Sequence, residues 1–273
     1  MDIRILGIDW QNDFVDPKGS LFVKGADEDA KRFSSLIKRI KGKITGIHAT
    51  LDSHQLVHIA HPIWWINSEG KHPNIDDFYK GIPTIITVDN VENGVWRATR
   101  PFLQQRSLDY VKSLRDNNRY ILCIWPPHCL IGSWGHNIYP CVYEAFLEWE
   151  KDFKKVDYRV KGSNPFTEHY SAIVADVIDP SDPHTMLDTG TGSLIDLLSK
   201  ADIVITSGQA LSHCLANTVR DIANNFGDEN IKKIILLRDC TSSVGGFEKL
   251  GEDFIDEMKQ RGMQITTSDK LLI

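Results

Sequence analysis

The sequence predicts an α/β fold: a single domain with a mainly parallel open sheet and helices on both faces. Three observations support this prediction. Short apolar segments alternate along the chain with segments of helical periodicity. Several apolar segments are nearly uninterrupted, which is typical of parallel strands that are covered on both faces. The chain has 273 residues, of which 41% are hydrophobic, and this is enough for one sizeable core.

The predicted strands and helices alternate along the chain. Each predicted strand is a short apolar run, and these runs are Ile3–Asp9, Ile44–Leu51, Tyr120–Trp125, Ile203–Thr206, Lys233–Leu237 and Gln264–Thr267. The predicted helices lie between them, at Asp27–Ile40, Leu103–Asp116, Val142–Phe153, Ser193–Ser199, His213–Asn225 and Phe247–Gln260. This alternation is typical of a parallel sheet with covering helices.

Two stretches interrupt the alternation. Ile63–Pro101 is long for a loop, contains Trp64, Trp65 and Trp96, and includes a candidate strand at Pro83–Val88. A loop of this length in a compact domain is usually functional or disordered, and the aromatic residues favour order. We therefore expect one domain over residues 1–273 with a lid-like insertion at about 63–101. Ile178–Gly192 is rich in Pro, Asp, Gly and Thr, which predicts a second loop.

Composition and charge narrow the function classes. The net charge of −6 argues against nucleic acid as the main partner. No apolar run reaches the roughly 18 residues of a membrane span, and the N-terminal residues lack the layout of a signal peptide. The cysteines are odd in number and never spaced as CxxC: Cys123, Cys129, Cys141, Cys214 and Cys240. We therefore expect reduced thiols and a cytoplasmic protein with a small-molecule partner. A homo-oligomer is compatible with the sequence.

Polar residues follow several of the predicted strands. Open α/β sheets bind ligands outside the carboxyl ends of their strands. Asp9, Asp52, His128 and Cys214 stand at such positions, and we expect them to lie at one edge of the sheet. That edge is the candidate site.

Cys214 is the candidate nucleophile. It falls in the first turn of a predicted helix, and a helix N-terminus favours the thiolate and lowers the thiol pKa. The alternative is a buried cysteine that acts as a small apolar residue.

Asp9 and Lys161 are candidate partners of this cysteine. The charge of Asp9, at the end of an apolar strand, needs a partner or a solvated cleft, although Asp9 could also be a turn carboxylate. Lys161 follows a strand-like run and could equally be a solvated lysine.

The segment LDSHQLVHIAH offers ligands for a metal ion. Asp52 and His54 are two residues apart, so an extended chain directs both side chains the same way. His58 and His61 follow, and His128 stands in WPPHC. Carboxylate and imidazole ligands suit Zn²⁺, Mn²⁺ or Fe²⁺. The alternative is a histidine cluster at the surface.

Five segments in order resemble the nicotinamidase branch of the isochorismatase-like cysteine hydrolases. They are DWQNDFVDPKGSLFVKGA (9–26), LDSHQLVH (51–58), WPPHC (125–129), KGSNPFTEHYSA (161–172) and GQALSHC (208–214). The chain departs from the family where Leu211 and Ser212 replace the usual Thr-Asp pair. It also has about 60 residues between the metal segment and WPPHC, and a further loop after Tyr170.

The resemblance implies a role for each matching residue. It implies a catalytic triad of Asp9, Lys161 and Cys214, and a cis peptide before Ala210. The backbone N–H groups of Ala210 and Cys214 would form the oxyanion hole. The implied ligands of one divalent metal ion, Zn²⁺ before Mn²⁺ or Fe²⁺, are Asp52, His54 and His128, with His58 as a further ligand or a neighbour of the ligands. The implied substrate contacts are Phe14, Trp125, Tyr170 and His213.

The implied function is hydrolysis of nicotinamide to nicotinate and ammonia through a cysteine thioester, a step of NAD salvage. One alternative is the same chemistry on a larger or aliphatic amide, which the two insertions would favour. Another is a non-catalytic metal-binding protein on this fold, which would have no need of all three triad residues. An isochorismatase is disfavoured because it acts on a vinyl ether without this cysteine.

Overall fold

The fold is built around a six-stranded parallel sheet. The computed structural model describes residues 1–187 and 189–273, so Asp188 of the predicted loop Ile178–Gly192 lies outside the described residues. The strands are β1 (Ile3–Ile8), β2 (Gly46–Asp52), β3 (Asp157–Lys161), β4 (Ile203–Gly208), β5 (Ile234–Leu237) and β6 (Gln264–Thr266). Their spatial order is β6-β5-β4-β1-β2-β3, and all neighbours are parallel.

The strand order reverses direction between β1 and β4. The chain runs outward from β1 through β2 to β3 on one side, and from β4 through β5 to β6 on the other. Ligands of open α/β sheets bind in the crevice outside the carboxyl ends at such a reversal. Asp9 directly follows β1, and Cys214 lies six residues after β4. The topology therefore places these two residues at the expected binding crevice.

The inner strands of the sheet are almost wholly buried and consist mainly of apolar residues. Every residue of β1 except Arg4 is buried, and β5 is buried throughout. β3 alternates between partly buried and exposed residues before Lys161, because it is an edge strand.

The helices form two packed groups on the two faces of the sheet, which confirms the predicted fold class. One contains Ala26–Ile40 and Pro140–Glu150, and the other contains Ala216–Phe226 and Glu248–Gln260.

The remaining helical segments are shorter or lie outside these groups. The α-helices among them are Asn12–Val15, Ile75–Tyr79, Val88–Glu92, Gln104–Asp116, Leu194–Ser199 and Asp228–Ile231. Single 3₁₀ turns occur at Pro62–Trp64, Pro101–Leu103, Pro183–Thr185 and Arg238–Cys240. A π-helical turn at Leu211–Leu215 precedes Ala216–Phe226. Among the described residues, no helix is both long and apolar enough to cross a membrane.

One predicted strand is wrong. Tyr120–Trp125 does not join the central sheet; only Leu122–Cys123 is extended, and it pairs antiparallel with Ile85–Ile86. The sixth strand of the sheet is β3 instead, whose sequence DYRVK is too polar to stand out as apolar. His128 therefore does not follow a strand of the central sheet. It reaches the site through a bridge between His54 and Leu130.

The insertion at about 63–101 is ordered and anchored to the core. Trp65–Ile66 pairs antiparallel with Arg97–Ala98, and the predicted strand Pro83–Val88 is reduced to Ile85–Ile86. The indole N–H of Trp64 donates to Ser107 Oγ (2.9 Å), and that of Trp65 donates to the Ile59 carbonyl (2.7 Å). These two tryptophans therefore fasten the insertion to the domain.

Candidate active site

Asp9 directly follows β1 and has a conformation that few residues adopt. Its φ is 45°, in the left-handed region that is sparsely populated by residues other than glycine. Its side chain is fully buried. The Asp9 N–H donates to Thr50 Oγ1 (3.1 Å), and the Thr50 hydroxyl donates to Asp9 Oδ1 (2.5 Å). Thr50, on the neighbouring β2, thus fixes the carboxylate in the crevice.

Lys161, the last residue of β3, is buried and joins three candidate site residues. Its Nζ lies 2.9 Å from Asp9 Oδ2 and 3.0 Å from Asp52 Oδ1. The same Nζ lies 3.5 Å from Cys214 Sγ. The alternative of a solvated lysine is therefore excluded.

Cys214 lies in the π-helical turn rather than in the first turn of a regular α-helix. The turn begins after Ala210, and the Gln209–Ala210 peptide is cis, as the resemblance implies. Cys214 is 6% exposed and is therefore a buried residue. Cys123, Cys129 and Cys240 are also buried, whereas Cys141 is partly exposed.

The expected low pKa of the Cys214 thiol is wrong. Burial raises the pKa well above its ordinary value, because the thiolate is desolvated; Lys161 opposes this effect, and Asp9 and Asp52 add to it. Burial likewise raises the pKa of Asp9. The position at a helix start could not reveal the two carboxylates that face the sulfur. A protonated thiol beside a basic carboxylate is ready for proton transfer between them.

Two other charges are stabilised in their ionised forms. Burial opposes ionisation of Asp52, but the positive charges of His54 and Lys161 hold the pKa of its carboxyl well below the usual range. Burial also opposes protonation of Lys161, yet the carboxylates of Asp52 and Asp9 raise its pKa well above the usual value. The site therefore contains a permanent ammonium group between two carboxyl groups.

Asp52, His54 and His128 converge as the metal-site hypothesis predicts. One oxygen of Asp52, Oδ2, lies 3.0 Å from His54 Nε2 and 3.3 Å from His128 Nε2. All three residues are buried. The alternative of a surface histidine cluster is therefore excluded.

The chemistry of this donor set fits a divalent cation. His54 Nδ1 lies 3.1 Å from the Gly162 carbonyl, and His128 Nδ1 lies 2.8 Å from the Pro126 carbonyl. Each carbonyl accepts a hydrogen bond, so each Nδ1 carries a proton and each Nε2 faces the Asp52 carboxylate. A metal ion bound there would replace any proton on Nε2, and each Nε2 would then offer its lone pair to the cation. Lone pairs at this distance repel unless a proton or a cation lies between them. Tetrahedral zinc with bonds of about 2.0–2.1 Å separates its ligand atoms by roughly 3.3 Å.

His58 does not offer a free ligand atom. Its Nδ1 accepts from the Ala60 N–H (3.2 Å), so its Nε2 donates to the Thr167 carbonyl (3.1 Å). Of the two roles that were left open, the geometry favours a neighbour that packs against the His54 ring, with centroids 4.4 Å apart. Unlike His58, His61 has one ring nitrogen without a partner: its buried Nε2 makes no hydrogen bond among the described residues.

A small cavity lined by buried residues adjoins Cys214. Its volume is about 20 Å³, which is room for about one water molecule. The predicted contacts Phe14, Trp125, Tyr170 and His213 all line it, together with Ala210. The Trp125 indole N–H donates to the Tyr170 hydroxyl (2.9 Å), which fixes the two rings. None of the three tryptophans in the insertion lines this cavity.

Sequence reasoning missed three lining residues and, besides Thr50, two residues that support the site. Leu21, Glu168 and Val244 also line the cavity, and Glu168 Oε1 lies 4.0 Å from His54 Nε2. Glu168 could have been found, because it lies in the KGSNPFTEHYSA segment. The Gln11 amide brackets the Asp52 backbone: Nε2 donates to the carbonyl and Oε1 accepts from the N–H, both at 2.7 Å. Gly162 lies so near the site that an added Cβ would come within 2.8 Å of Asp52 Oδ1.

The helix Ile75–Tyr79 of the insertion touches the outside of the cavity wall. Phe78 packs edge-on against Trp125, with centroids 5.5 Å apart. The Tyr79 hydroxyl donates to the Ser20 carbonyl (2.9 Å), next to the lining residue Leu21. The helix has no fully buried residue. The helix therefore contacts the wall through Phe78 and Tyr79, and none of its residues is buried.

Comparisons with solved structures place this arrangement on a known fold. A nicotinamidase/pyrazinamidase from Acinetobacter baumanii superposes with a TM-score of 0.64 at 21% identity, over 99% of this chain and 98% of that one. The yeast nicotinamidase gives a TM-score of 0.62 at 20% identity, over 97% and 99%. The zinc complex of the Pyrococcus horikoshii pyrazinamidase gives 0.55 at 18% identity, over 98% and 99%.

The sequence comparisons add no relative. No family model matches the chain, and no curated protein matches it either. The superpositions cover nearly the whole of both chains, so the likeness is not confined to the sheet. The protein therefore has the fold of the nicotinamidase and pyrazinamidase structures.

Proposed function

We propose that the protein is a metal-containing cysteine amidohydrolase that converts nicotinamide to nicotinate and ammonia. One observation carries the proposal: Lys161 Nζ contacts both Asp9 (2.9 Å) and Cys214 Sγ (3.5 Å) beside a buried Asp52–His54–His128 set. A nucleophile, a base and a cation in mutual contact are what acyl transfer requires. The solved structures with this fold that are named above are nicotinamidases and pyrazinamidases.

The first half-reaction forms a thioester. Cys214 Sγ attacks the amide carbon while its proton passes to Asp9, whose raised pKa makes it a competent base. The Lys161 ammonium stabilises the negative charge on sulfur. The C–N bond then breaks, and Asp9 returns the proton to the leaving nitrogen, which departs as ammonia. The backbone N–H groups of Ala210 and Cys214 hold the oxyanion; one such donor contributes about 3 kcal/mol.

The second half-reaction consumes water. Asp9, again ionised, takes a proton from the water as its oxygen bonds to the acyl carbon. The C–S bond breaks, the sulfur recovers its proton, and nicotinate is released. No oxidant or further reactant is needed.

Asp52, His54 and His128 would hold the metal ion. Glu168 lies beside this set, with Oε1 4.0 Å from His54 Nε2. A bound divalent ion would supply a coordination position for a ring nitrogen, which would orient a pyridine carboxamide. Phe14 and Trp125 would hold the ring between aromatic faces, worth about 1 kcal/mol beyond the buried area.

The cavity favours a small planar substrate over a larger amide. At about 20 Å³ it must widen even for nicotinamide. The helix Ile75–Tyr79 packs against the outside of the wall and has no buried residue, so we infer that it moves when substrate enters. A larger amide would need the core residues Tyr170 and Trp125 to move as well.

Ammonia release from a panel of amides tests the proposal. Nicotinamide and pyrazinamide should be hydrolysed, and removal of the metal by a chelator should abolish the activity. Hydrolysis of an aliphatic amide without hydrolysis of nicotinamide would contradict the substrate assignment. Failure of the metal-loaded protein to release ammonia from any amide would contradict the enzymatic function.

A further inference from the structure

Asp29 is a buried carboxylate that the proposed reaction does not use. It lies in the first turn of the helix Ala26–Ile40 and is 3% exposed. Its Oδ2 accepts hydrogen bonds from Gln209 Nε2 (3.0 Å) and Ser242 Oγ (2.7 Å), and its Oδ1 accepts one from Arg32 Nη2 (2.7 Å). A buried carboxylate is costly unless such partners compensate it. Asp29 therefore connects this helix to the segments that follow β4 and β5.

The Gln209 side chain has a fixed orientation. Gln209 is fully buried, and its Oε1 accepts a hydrogen bond from the Ser242 backbone N–H (3.3 Å). A backbone N–H can only donate, so the amide oxygen faces Ser242 and the amide nitrogen faces Asp29. The Gln209 backbone N–H donates to the Ile8 carbonyl on β1 (3.0 Å). Gln209, the residue before Ala210, is therefore held through both its side chain and its backbone.

The segment 241–244 is bonded to the turn 208–212, which contains Ala210. Three hydrogen bonds join the two: the Thr241 hydroxyl donates to the Gly208 carbonyl (2.6 Å), the Leu211 N–H to the Ser242 carbonyl (2.8 Å), and the Val244 N–H to Ser212 Oγ (3.1 Å). Ser242 thus holds the turn through its backbone, while its hydroxyl is bonded to Asp29. The position of the turn therefore depends on a segment that Asp29 holds.

This turn borders the reacting centre. Ala210 and Val244 line the cavity at Cys214. In the proposed reaction the Ala210 N–H donates to the oxyanion, and such a donor is effective at about 2.7–3.1 Å from that oxygen. A backbone N–H has no rotamers, so the groups that hold its planar peptide decide where it points. Gln209 precedes this peptide, and Ser242 holds the residue that follows Ala210.

We propose that Asp29 is a positioning residue for amide hydrolysis: by holding Gln209 and Ser242 together, it fixes the turn that aims the Ala210 N–H at the oxyanion. This inference rests on the proposed function. Asp29 lies outside the lining of the cavity at Cys214, so it touches neither the substrate nor the reacting atoms. Its effect should appear where negative charge develops on the carbonyl oxygen, and binding of the planar substrate should not depend on it.

Three variants and one control test the role of Asp29. Asp29→Ala removes the acceptor of both hydrogen bonds to the turn and its neighbouring segment. Asp29→Asn keeps one oxygen that can accept them, and the Arg32 side chain is 42% exposed and can turn to solvent. Ser242→Ala removes only the hydroxyl. Ser34→Ala is the matched control for it, because Ser34 is a buried serine of the same helix as Asp29 and donates within that helix.

The first readout is ammonia release from nicotinamide. Complete loss of one oxyanion donor costs about 100–1,000-fold in kcat, so a displaced donor in Asp29→Ala should cost about tenfold. kcat and kcat/KM should fall by the same factor, with KM within about twofold, because the interaction is made only in the transition state. Ser242→Ala should lose about threefold. Asp29→Asn and Ser34→Ala should stay within about twofold of the unaltered protein.

Two inhibitors separate positioning of the donor from general distortion of the cavity. The Cys214 thiol should add to nicotinaldehyde: the S–C bond forms, and the thiol proton passes to the carbonyl oxygen, which then lies where the oxyanion would be. The inhibition constant of the aldehyde should rise about tenfold in Asp29→Ala, whereas that of planar nicotinate should change by less than about twofold.

Each contrary result has its own meaning. Unchanged kcat in Asp29→Ala, with the fold confirmed by circular dichroism, would overturn the inference while leaving the hydrolase intact. Equal weakening of nicotinaldehyde and nicotinate would indicate a distorted cavity and would equally overturn it. If Asp29→Ala does not fold, Ser242→Ala decides, and a loss no greater than that of Ser34→Ala would overturn the inference. Absence of ammonia release from the unaltered protein would overturn the proposed function, and with it this inference.

Discussion

Replacing Thr50 with valine should move the pH dependence of the reaction in a known direction. Thr50 is buried on β2 and donates a short hydrogen bond (2.5 Å) to Asp9 Oδ1. Valine has nearly the same shape, so the variant removes the hydroxyl without opening a cavity. Burial already raises the pKa of Asp9, and the Thr50 hydroxyl opposes that effect. Removing the hydroxyl should therefore raise the pKa further.

The size of the shift follows from the difference between two hydrogen bonds. A bond to a charged acceptor contributes about 1.5–3 kcal/mol and a neutral one about 0.5–1.5 kcal/mol. The ionised form of Asp9 thus loses about 1–1.5 kcal/mol more than the protonated form, which corresponds to about one pKa unit. Asp9 acts as a base and must be ionised, so activity is lost as pH falls through its pKa. The acid limb of kcat/KM should move to higher pH by about one unit.

The assay is ammonia release at several pH values, with kcat/KM fitted to the acid limb. The limb belongs to Asp9, Lys161 and Cys214 together, so the shift between variants is the quantity to compare. Thr50→Ser keeps the hydroxyl and should leave the limb near its original position. An unshifted limb in Thr50→Val, with the fold confirmed by circular dichroism, would refute the assignment of Asp9 as the base.

Three further predictions concern the metal, the ring and the thiols. His54→Ala combined with His128→Ala should lose the metal by elemental analysis, whereas His58→Ala should keep it, because both His58 nitrogens are bonded to the backbone. Chelation should leave the far-UV circular dichroism unchanged, since the sheet core does not depend on the site. Benzamide, which lacks the ring nitrogen, should react at least about 100-fold more slowly than nicotinamide in kcat/KM, and equal values would contradict ring orientation by a metal. A bulky maleimide should modify Cys141 before Cys214, because Cys141 is partly exposed and Cys214 is buried; peptide mapping showing the reverse order would contradict the closed site.

The fold was predictable because its buried strands are apolar enough to see in one sequence. β1, β4 and β5 are almost wholly buried, and their composition directly reflects that burial. The edge strand β3 was not predicted as a strand of the sheet, because two of its five residues, Tyr158 and Val160, are exposed and its composition is polar. The sequence predicts Tyr120–Trp125 as a strand in its place, because apolar composition indicates burial and does not indicate which sheet a strand joins.

The site was predicted as a set of residues, and its electrostatics were not. Asp9, Lys161 and Cys214 do meet, as do Asp52, His54 and His128. The thiol pKa was expected to be low from a local feature, the start of a helix. It is raised because burial and two carboxylates from β1 and β2 act on the sulfur, and these depend on tertiary structure. The partnered nitrogens of His58 and the lining by Glu168 were hidden for the same reason.

The most direct test is to look for the covalent intermediate on Cys214. The protein would be mixed with nicotinamide, quenched in acid during turnover, and digested for peptide mass spectrometry. We expect a nicotinoyl group on the peptide that contains Cys214, none on the other cysteine peptides, and no nicotinate production by Cys214→Ala. Steady nicotinate production by Cys214→Ala, or labelling of another residue in its place, would contradict the account.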